Sequence, residues 1–122
     1  MKIIGNGVDI IEVRRIKNAI EKHGQVFFKR VFTEKELKNA EEHNGFYQHL
    51  AGRFAAKEAV LKALNEKKLG FKDVEVLNDK QGKPYCSLKN FNQDKLNLYI
   101  SISHIKNYAV ASAIITKEIS DS

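Results

Sequence analysis

The first residues, "KIIGNGVDI" (Lys2 to Ile10), alternate as a strand does. Ile4, Val8 and Ile10 fall on one side, and Gly5, Gly7 and Asp9 on the other. Two glycines beside an aspartate leave room for something to approach the backbone closely. From "IEVRRIKNAIEKHG" the period lengthens: Val13, Ile16 and Ile20 recur at helical spacing, and Gly24 stops the run. "TEKELKNAEEH" predicts a second helix, with Thr33 as N-cap and Glu36 three residues later in the arrangement of a capping box. A long helix is expected from near Phe46 to near Lys67, ahead of Leu69 and Gly70.

Beyond that helix the chain turns to short, alternating, β-branched runs: "DVEVLND", "KPYCSLK", "LNLYISISH" and "YAVASAIIT". "NDKQGKP" (Asn78 to Pro84) predicts a turn between the first two, and "HIKN" (His104 to Asn107) a turn between the last two. A strand, then helices, then two hairpins imply an α+β fold in which a long helix and shorter helices pack on an antiparallel sheet. No repeat, low-complexity tract or linker interrupts the 122 residues, so a single domain over 1–122 is expected.

Composition narrows the partners. The chain carries 21 Lys+Arg against 15 Asp+Glu, a formal charge of +6, which attracts anions: nucleic acid, a phosphorylated small molecule or an acidic protein. The lysines are spread along the whole chain and no basic strand is interleaved with aromatics, which argues against an RNA-binding module and for no nucleic-acid partner. No apolar run approaches the ~18 residues of a membrane span. The start lacks the long apolar region and small-residue cleavage site of a signal peptide. Cys86 is the only cysteine, so no internal disulfide can form. A cytoplasmic protein without a membrane partner is expected. There is no phosphate-binding Walker loop, dinucleotide fingerprint, serine nucleophile elbow or paired Cys/His zinc spacing.

Three places carry chemistry that the folding pattern does not require. Asp9 opens "DIIE", which reads plainly as a helix N-cap with Glu12 three residues on; it also reads as a metal carboxylate on the glycine-lined side of the strand, and the two are compatible. Glu58 and Lys62 form an i,i+4 pair worth roughly 0.2–0.5 kcal/mol on an exposed helix. At 100° per residue, however, Glu58 falls between Phe54 and Leu61 on one side and Ala51 and Ala55 on the other, and Lys62 lies next to those alanines. A carboxylate half-buried among small side chains suggests the wall of a pocket that Ala51 and Ala55 keep open. Arg53 and Lys57 project from the other flank, toward phosphate or solvent. His104 ends a strand, where a polar residue opening a turn is the commoner reading.

Taken together, "GVDIIEVRRI", "FTEKEL", "LAGRFAAKEAVLKAL", "DVEVLNDKQGKPY" and "ISISHIKNYAVA", spanning Gly7 to Ala113, resemble the holo-[acyl-carrier-protein] synthases, the small bacterial 4′-phosphopantetheinyl transferases. The resemblance implies Mg²⁺-dependent transfer of 4′-phosphopantetheine from coenzyme A to a serine of acyl carrier protein, releasing adenosine 3′,5′-bisphosphate and supporting fatty acid biosynthesis. It implies Asp9 and Glu58 as metal carboxylates, and Glu58 and Lys62 as the catalytic residues, with Lys62 at the phosphates. Lys57, His104 and the turn residues Gly82, Lys83 and Pro84 would join the coenzyme site, and Arg15 would contact the acidic carrier protein. It also implies a homotrimer with sites at subunit interfaces. Mg²⁺ suits such a set, since it prefers hard oxygens and takes one or two carboxylates plus phosphates and water. Many relatives have a more glycine-rich loop where this chain has "NEKKLGFKD"; Lys67 and Lys68 there could meet phosphate or solvent.

Overall fold

The computed structural model describes residues 1–119. Strand β1 (Lys2–Glu12) leads into helices α1 (Val13–His23), α2 (Gln25–Val31), α3 (Glu34–Glu41) and α4 (Phe46–Leu64). A 3₁₀ turn (Phe71–Asp73) then precedes β2 (Val74–Asn78), β3 (Pro84–Leu88), β4 (Leu96–His104) and β5 (Tyr108–Lys117). The antiparallel sheet runs β1-β5-β4, and β2 and β3 form a separate hairpin. This is the expected α+β architecture, with α4 laid on the sheet. The sequence reading lacked α2, a seven-residue helix with no side-chain cap.

The glycine side of β1, not its isoleucine side, packs on the core. Ala109, Ala111 and Ala113 of β5 are buried on that same side, with Asp9 opposite Ala111 and Gly7 opposite Ala113. A Cβ on Gly5 would collide with the carbonyl of Ala63, and one on Gly7 with the carbonyl of Ala59. What approaches the two glycines is therefore the protein's own helix. Ala51 and Ala55, expected to hold a pocket open, are likewise buried in the core. The outer face of the sheet is left apolar: Val8 is 61% exposed and Ile10 66%, with Val110 and Ile114 beside them.

Helix α4 is enclosed on most of its circumference, which explains why it lacks a broad polar stripe. It ends at Leu64, short of the expected Lys67, because Asn65 takes a left-handed conformation (φ 51°) and its N–H donates back to Leu61 at 2.9 Å. Asp9 does not cap α1. The strand continues to Glu12, which holds the N-cap position, so the carboxylate of Asp9 is free for other use.

The capping box at α3 is present: the Thr33 N–H donates to Glu36 Oε1 at 2.9 Å, and the Glu36 N–H to Thr33 Oγ1 at 3.2 Å. Glu36 does more than cap. It is fully buried, accepts the Val76 N–H of β2 at 2.7 Å and pairs with Lys57 Nζ at 2.6 Å. Lys57 Nζ also donates to the carbonyls of Val31 (2.9 Å) and Phe71 (3.0 Å). Lys57, expected at the coenzyme or in solvent, is thus an interior anchor; helical projection gave its angle but not the α3–β2 layer that covers it. Removing one member of a buried pair strands the other charge, at a cost of about 3–5 kcal/mol. Lys57→Met should lower the unfolding free energy by about that amount in urea titrations, whereas Lys62→Met on the open side of the same helix should change it by less than about 1 kcal/mol.

Candidate active site

Asp9 and Glu58 reach one cleft from different elements. Asp9 projects from the glycine side of β1 and Glu58 from α4, and Arg15 of α1 joins them with Ile11, Ile16 and Phe54 around a volume of about 330 Å³. Burial raises the Glu58 carboxyl above the usual carboxylate range; the negative charge of Asp9 adds to the rise and Lys62 opposes it. Lys62 Nζ donates to Asp9 Oδ1 at 3.0 Å and to the Val8 carbonyl at 3.2 Å, and the hydrogen bond and charge of Asp9 raise its pKa.

Two carboxylates on facing rigid elements, one already drawing an ammonium, fit a hard divalent cation that completes its shell with substrate phosphate and water. Among the described residues, no group of three or more His, Cys, Asp or Glu side chains is arranged to hold a metal. A cation held by Asp9 and Glu58 would therefore need further oxygens from a bound phosphate or water.

A second pocket of about 210 Å³ lies against the amino-terminal half of α4. It gathers His104 from the end of β4 and Gly82 and Pro84 from the hairpin turn, together with Arg53, His43 and His49. It shares no lining residue with the carboxylate cleft. Asp79 Oδ1 accepts the N–H groups of Gln81 and Lys83, both at 2.9 Å, and Gly82 supplies the positive φ (85°) that closes the turn. Lys83 itself lines a different groove, with Tyr85 and Tyr99. Lys67 and Lys68 are exposed and line neither pocket.

Sequence reasoning turned Arg53 toward phosphate or solvent but missed the two histidines that complete the polar wall of this pocket. Arg53 is buried, donates to Asn78 Oδ1 and leaves its Nε without a partner; His49 Nε2 is likewise buried and unpartnered. His43 stacks on His49 at 4.2 Å between ring centroids. Burial, then the charges of Arg53, His43 and His104, push the His49 pKa down to about 3. Buried nitrogens without partners around a cationic pocket suit an anionic ligand. The two histidines are six residues apart and meet only because the chain turns at Gly45, so helical spacing gave no sign of them.

The sequence model of the 4′-phosphopantetheinyl transferase superfamily matches residues 5–113. The chain belongs to that superfamily. It is similar to the holo-[acyl-carrier-protein] synthase of Clostridium tetani, at 48% identity over 124 residues covering 95% of this chain and 98% of the relative. It is also similar to that of Thermodesulfovibrio yellowstonii, at 49% identity over 115 residues covering 93% and 99%. Among solved structures, it is similar to a holo-(acyl-carrier-protein) synthase from Bacillus anthracis in complex with CoA (3′,5′-ADP). That match has 37% identity, covers 97% of this chain and 100% of the other, and has a TM-score of 0.82. The resemblance carried by the five sequence segments thus holds across nearly the whole transferase chain.

The raised pKa of Glu58 has a consequence for stability. With its folded value above its unfolded value, the native state binds the proton more tightly, so stability falls as pH rises through that interval and stays lower at neutral pH. With divalent metal chelated, Glu58→Gln should therefore raise the thermal midpoint at neutral pH. It should leave the midpoint unchanged in acid below the carboxylate range, where the carboxyl is protonated in both states. Calorimetry of both proteins across that span checks the sign.

Proposed function

We infer that this transferase moves the 4′-phosphopantetheine of coenzyme A onto a serine of apo acyl carrier protein, in support of fatty acid biosynthesis. The observation that carries the reading is the Asp9–Glu58 pair facing one cleft, with Lys62 on Asp9, in a chain similar along its length to holo-[acyl-carrier-protein] synthases. The serine oxygen attacks the phosphorus next to the pantetheine. The P–O bond to the nucleotide side breaks, and adenosine 3′,5′-bisphosphate leaves with the electron pair. Asp9 and Glu58 would hold Mg²⁺, which when bound supplies charge neutralisation at the reacting phosphate. Lys62, on a flexible and exposed stem, can bring a positive charge to the same phosphates. The serine gives up its proton as it attacks, and Glu58 or a water beside it would take it.

The nucleotide end of coenzyme A is assigned to the pocket of Gly82, Pro84 and His104, with Arg53 and His49 beneath it. That pocket and the carboxylate cleft are separate in one protomer, and the sheet leaves Val8, Ile10, Val110 and Ile114 bare. Monomers rarely expose a contiguous apolar patch of this kind. We therefore read the active form as a homotrimer of single-domain chains, with the cleft of one protomer completed by the pocket of its neighbour, working beside its substrates in the cytoplasm. Among the described residues no helix is long and apolar enough to cross a membrane.

Apo acyl carrier protein incubated with the transferase, coenzyme A and Mg²⁺ should gain the mass of one phosphopantetheine by intact-mass analysis. EDTA should abolish the gain, and Mg²⁺ or Mn²⁺ should restore it. Asp9→Asn and Glu58→Gln should each nearly abolish it with circular dichroism unchanged; full activity in either folded variant would remove that residue from the metal site.

Arg15 is exposed at the rim of the cleft, while Val13 and Ile16 of the same helix are buried. An acidic carrier docked on Arg15 would bring its serine toward Asp9. Charge at an exposed rim acts mainly on encounter and is screened by salt. Arg15→Glu should accordingly raise the KM for carrier protein, flatten its salt dependence and leave the KM for coenzyme A almost unchanged in steady-state assays.

A further inference from the structure

We propose that Lys62 is a placeholder cation: its ammonium occupies Asp9 until coenzyme phosphate draws it away and a divalent cation takes its place, so that metal and coenzyme bind cooperatively. The inference rests on the reading of Asp9 and Glu58 as metal carboxylates and adds a coupling to it. Two of the three N–H donors of Lys62 are engaged on β1, by Asp9 Oδ1 at 3.0 Å and the Val8 carbonyl at 3.2 Å. Glu58 stands one helical turn before Lys62, yet the ammonium bonds across to Asp9 instead. Among the described residues Glu58 has neither ion pair nor hydrogen bond. A divalent cation seeking both carboxylates therefore meets a positive charge already seated on one of them.

The seating is suited to exchange. The Lys62 side chain is 53% exposed and that of Asp9 only 17%. Rehydrating the ammonium costs little, since the lysine is already half in water; the cost of its leaving falls on Asp9. Asp9 would then face Glu58 with its charge uncompensated, so departure of the ammonium without a replacement cation is disfavoured. An entering phosphate offers Lys62 another anion on the same side of the helix. The metal then meets no competitor, and by linkage whatever factor coenzyme adds to metal affinity, metal adds to coenzyme affinity. Lys57, five residues earlier on the same helix, cannot behave so: its ammonium is fully buried and also holds two backbone carbonyls.

The test is Mn²⁺ binding followed by electron paramagnetic resonance on the full chain, wild type against Lys62→Met. It is run in high salt to screen long-range fields, with and without saturating coenzyme A, and Mn²⁺ chelation by coenzyme A alone is subtracted. Without coenzyme A, Lys62→Met should bind Mn²⁺ more tightly than wild type by roughly 5-fold or more, the lower end of typical coupling factors. With coenzyme A that advantage should shrink or reverse. An equal advantage in both conditions would mean that Lys62 acts only through its field, and would overturn the proposal, as would unchanged or weaker binding in the metal-only arm. If neither protein bound Mn²⁺ at all, the metal reading itself would fall and the exchange with it. Lys62 is exposed, and far-ultraviolet circular dichroism verifies that the variant is folded.

Discussion

The carboxylate of Glu36 is the constraint on which the geometry depends. Through its two oxygens it caps α3, holds β2 at Val76 and receives the Lys57 ammonium, which in turn takes the carbonyls of Val31 and Phe71. The end of α2, the start of α3, the middle of α4, the 3₁₀ turn and β2 are thereby tied at one point where the two buried charges compensate each other. A helix pinned in this way cannot rotate about its axis. Successive residues are about 100° apart, so seating Lys57 inward settles where its neighbour points, and Glu58 emerges toward β1 and α1. The Glu58 carboxylate is aimed by the residue before it.

The other carboxylate is aimed by missing side chains. Gly5 and Gly7 let β1 lie against the backbone of α4 at Ala63 and Ala59, and the alanines of β5 keep the rest of that interface thin. Asp9 follows Gly7 by two residues and so leaves the strand on the same side. Its distance from Glu58 is consequently set by backbone-to-backbone packing, which has less freedom than packing through long side chains. Both acids stand on regular elements, as a site with little tolerance for misplacement requires.

Local chemistry made much of this legible from sequence. The capping box at Thr33, the two hairpins, the long helix and the unusual setting of Glu58 all follow from period and turn residues. Asp9, Glu58 and Arg15 line one cleft, and Gly82, Pro84 and His104 another; Arg15, His104 and the turn were singled out by the family resemblance rather than by local chemistry. The misses share a physical cause. Alternation in β1 separates two faces but does not tell which is inner, because glycines and alanines that admit a helix backbone look like weak core residues. Angular position likewise separated Lys57 from Glu58 without showing that Glu36, from a different helix, would bury the lysine. Asp9 looked like a cap because the four-residue pattern is local, whereas its pairing with Ala111 comes from the far end of the chain. The meeting of His43 with His49 beside Arg53 depends on a loop reversal that no periodicity encodes.

One helix thus carries three basic residues with different fates, and surroundings rather than residue type divide them. Lys57, wholly out of water, is tolerable only with its carboxylate and two carbonyls in place, and that makes it a fixture. Lys62 has the same kind of partner, but at the boundary with solvent, where the pair is weak enough to open. Arg53 is buried with an amide for a partner and no carboxylate bonded to it among the described residues. Burial disfavours its charge, and an anion entering the adjoining pocket would relieve that cost. Lys57 is therefore a fixture of the interior, while Arg53 and Lys62, on either side of it along α4, keep positive charge available to an anion, as the proposed coenzyme site would require.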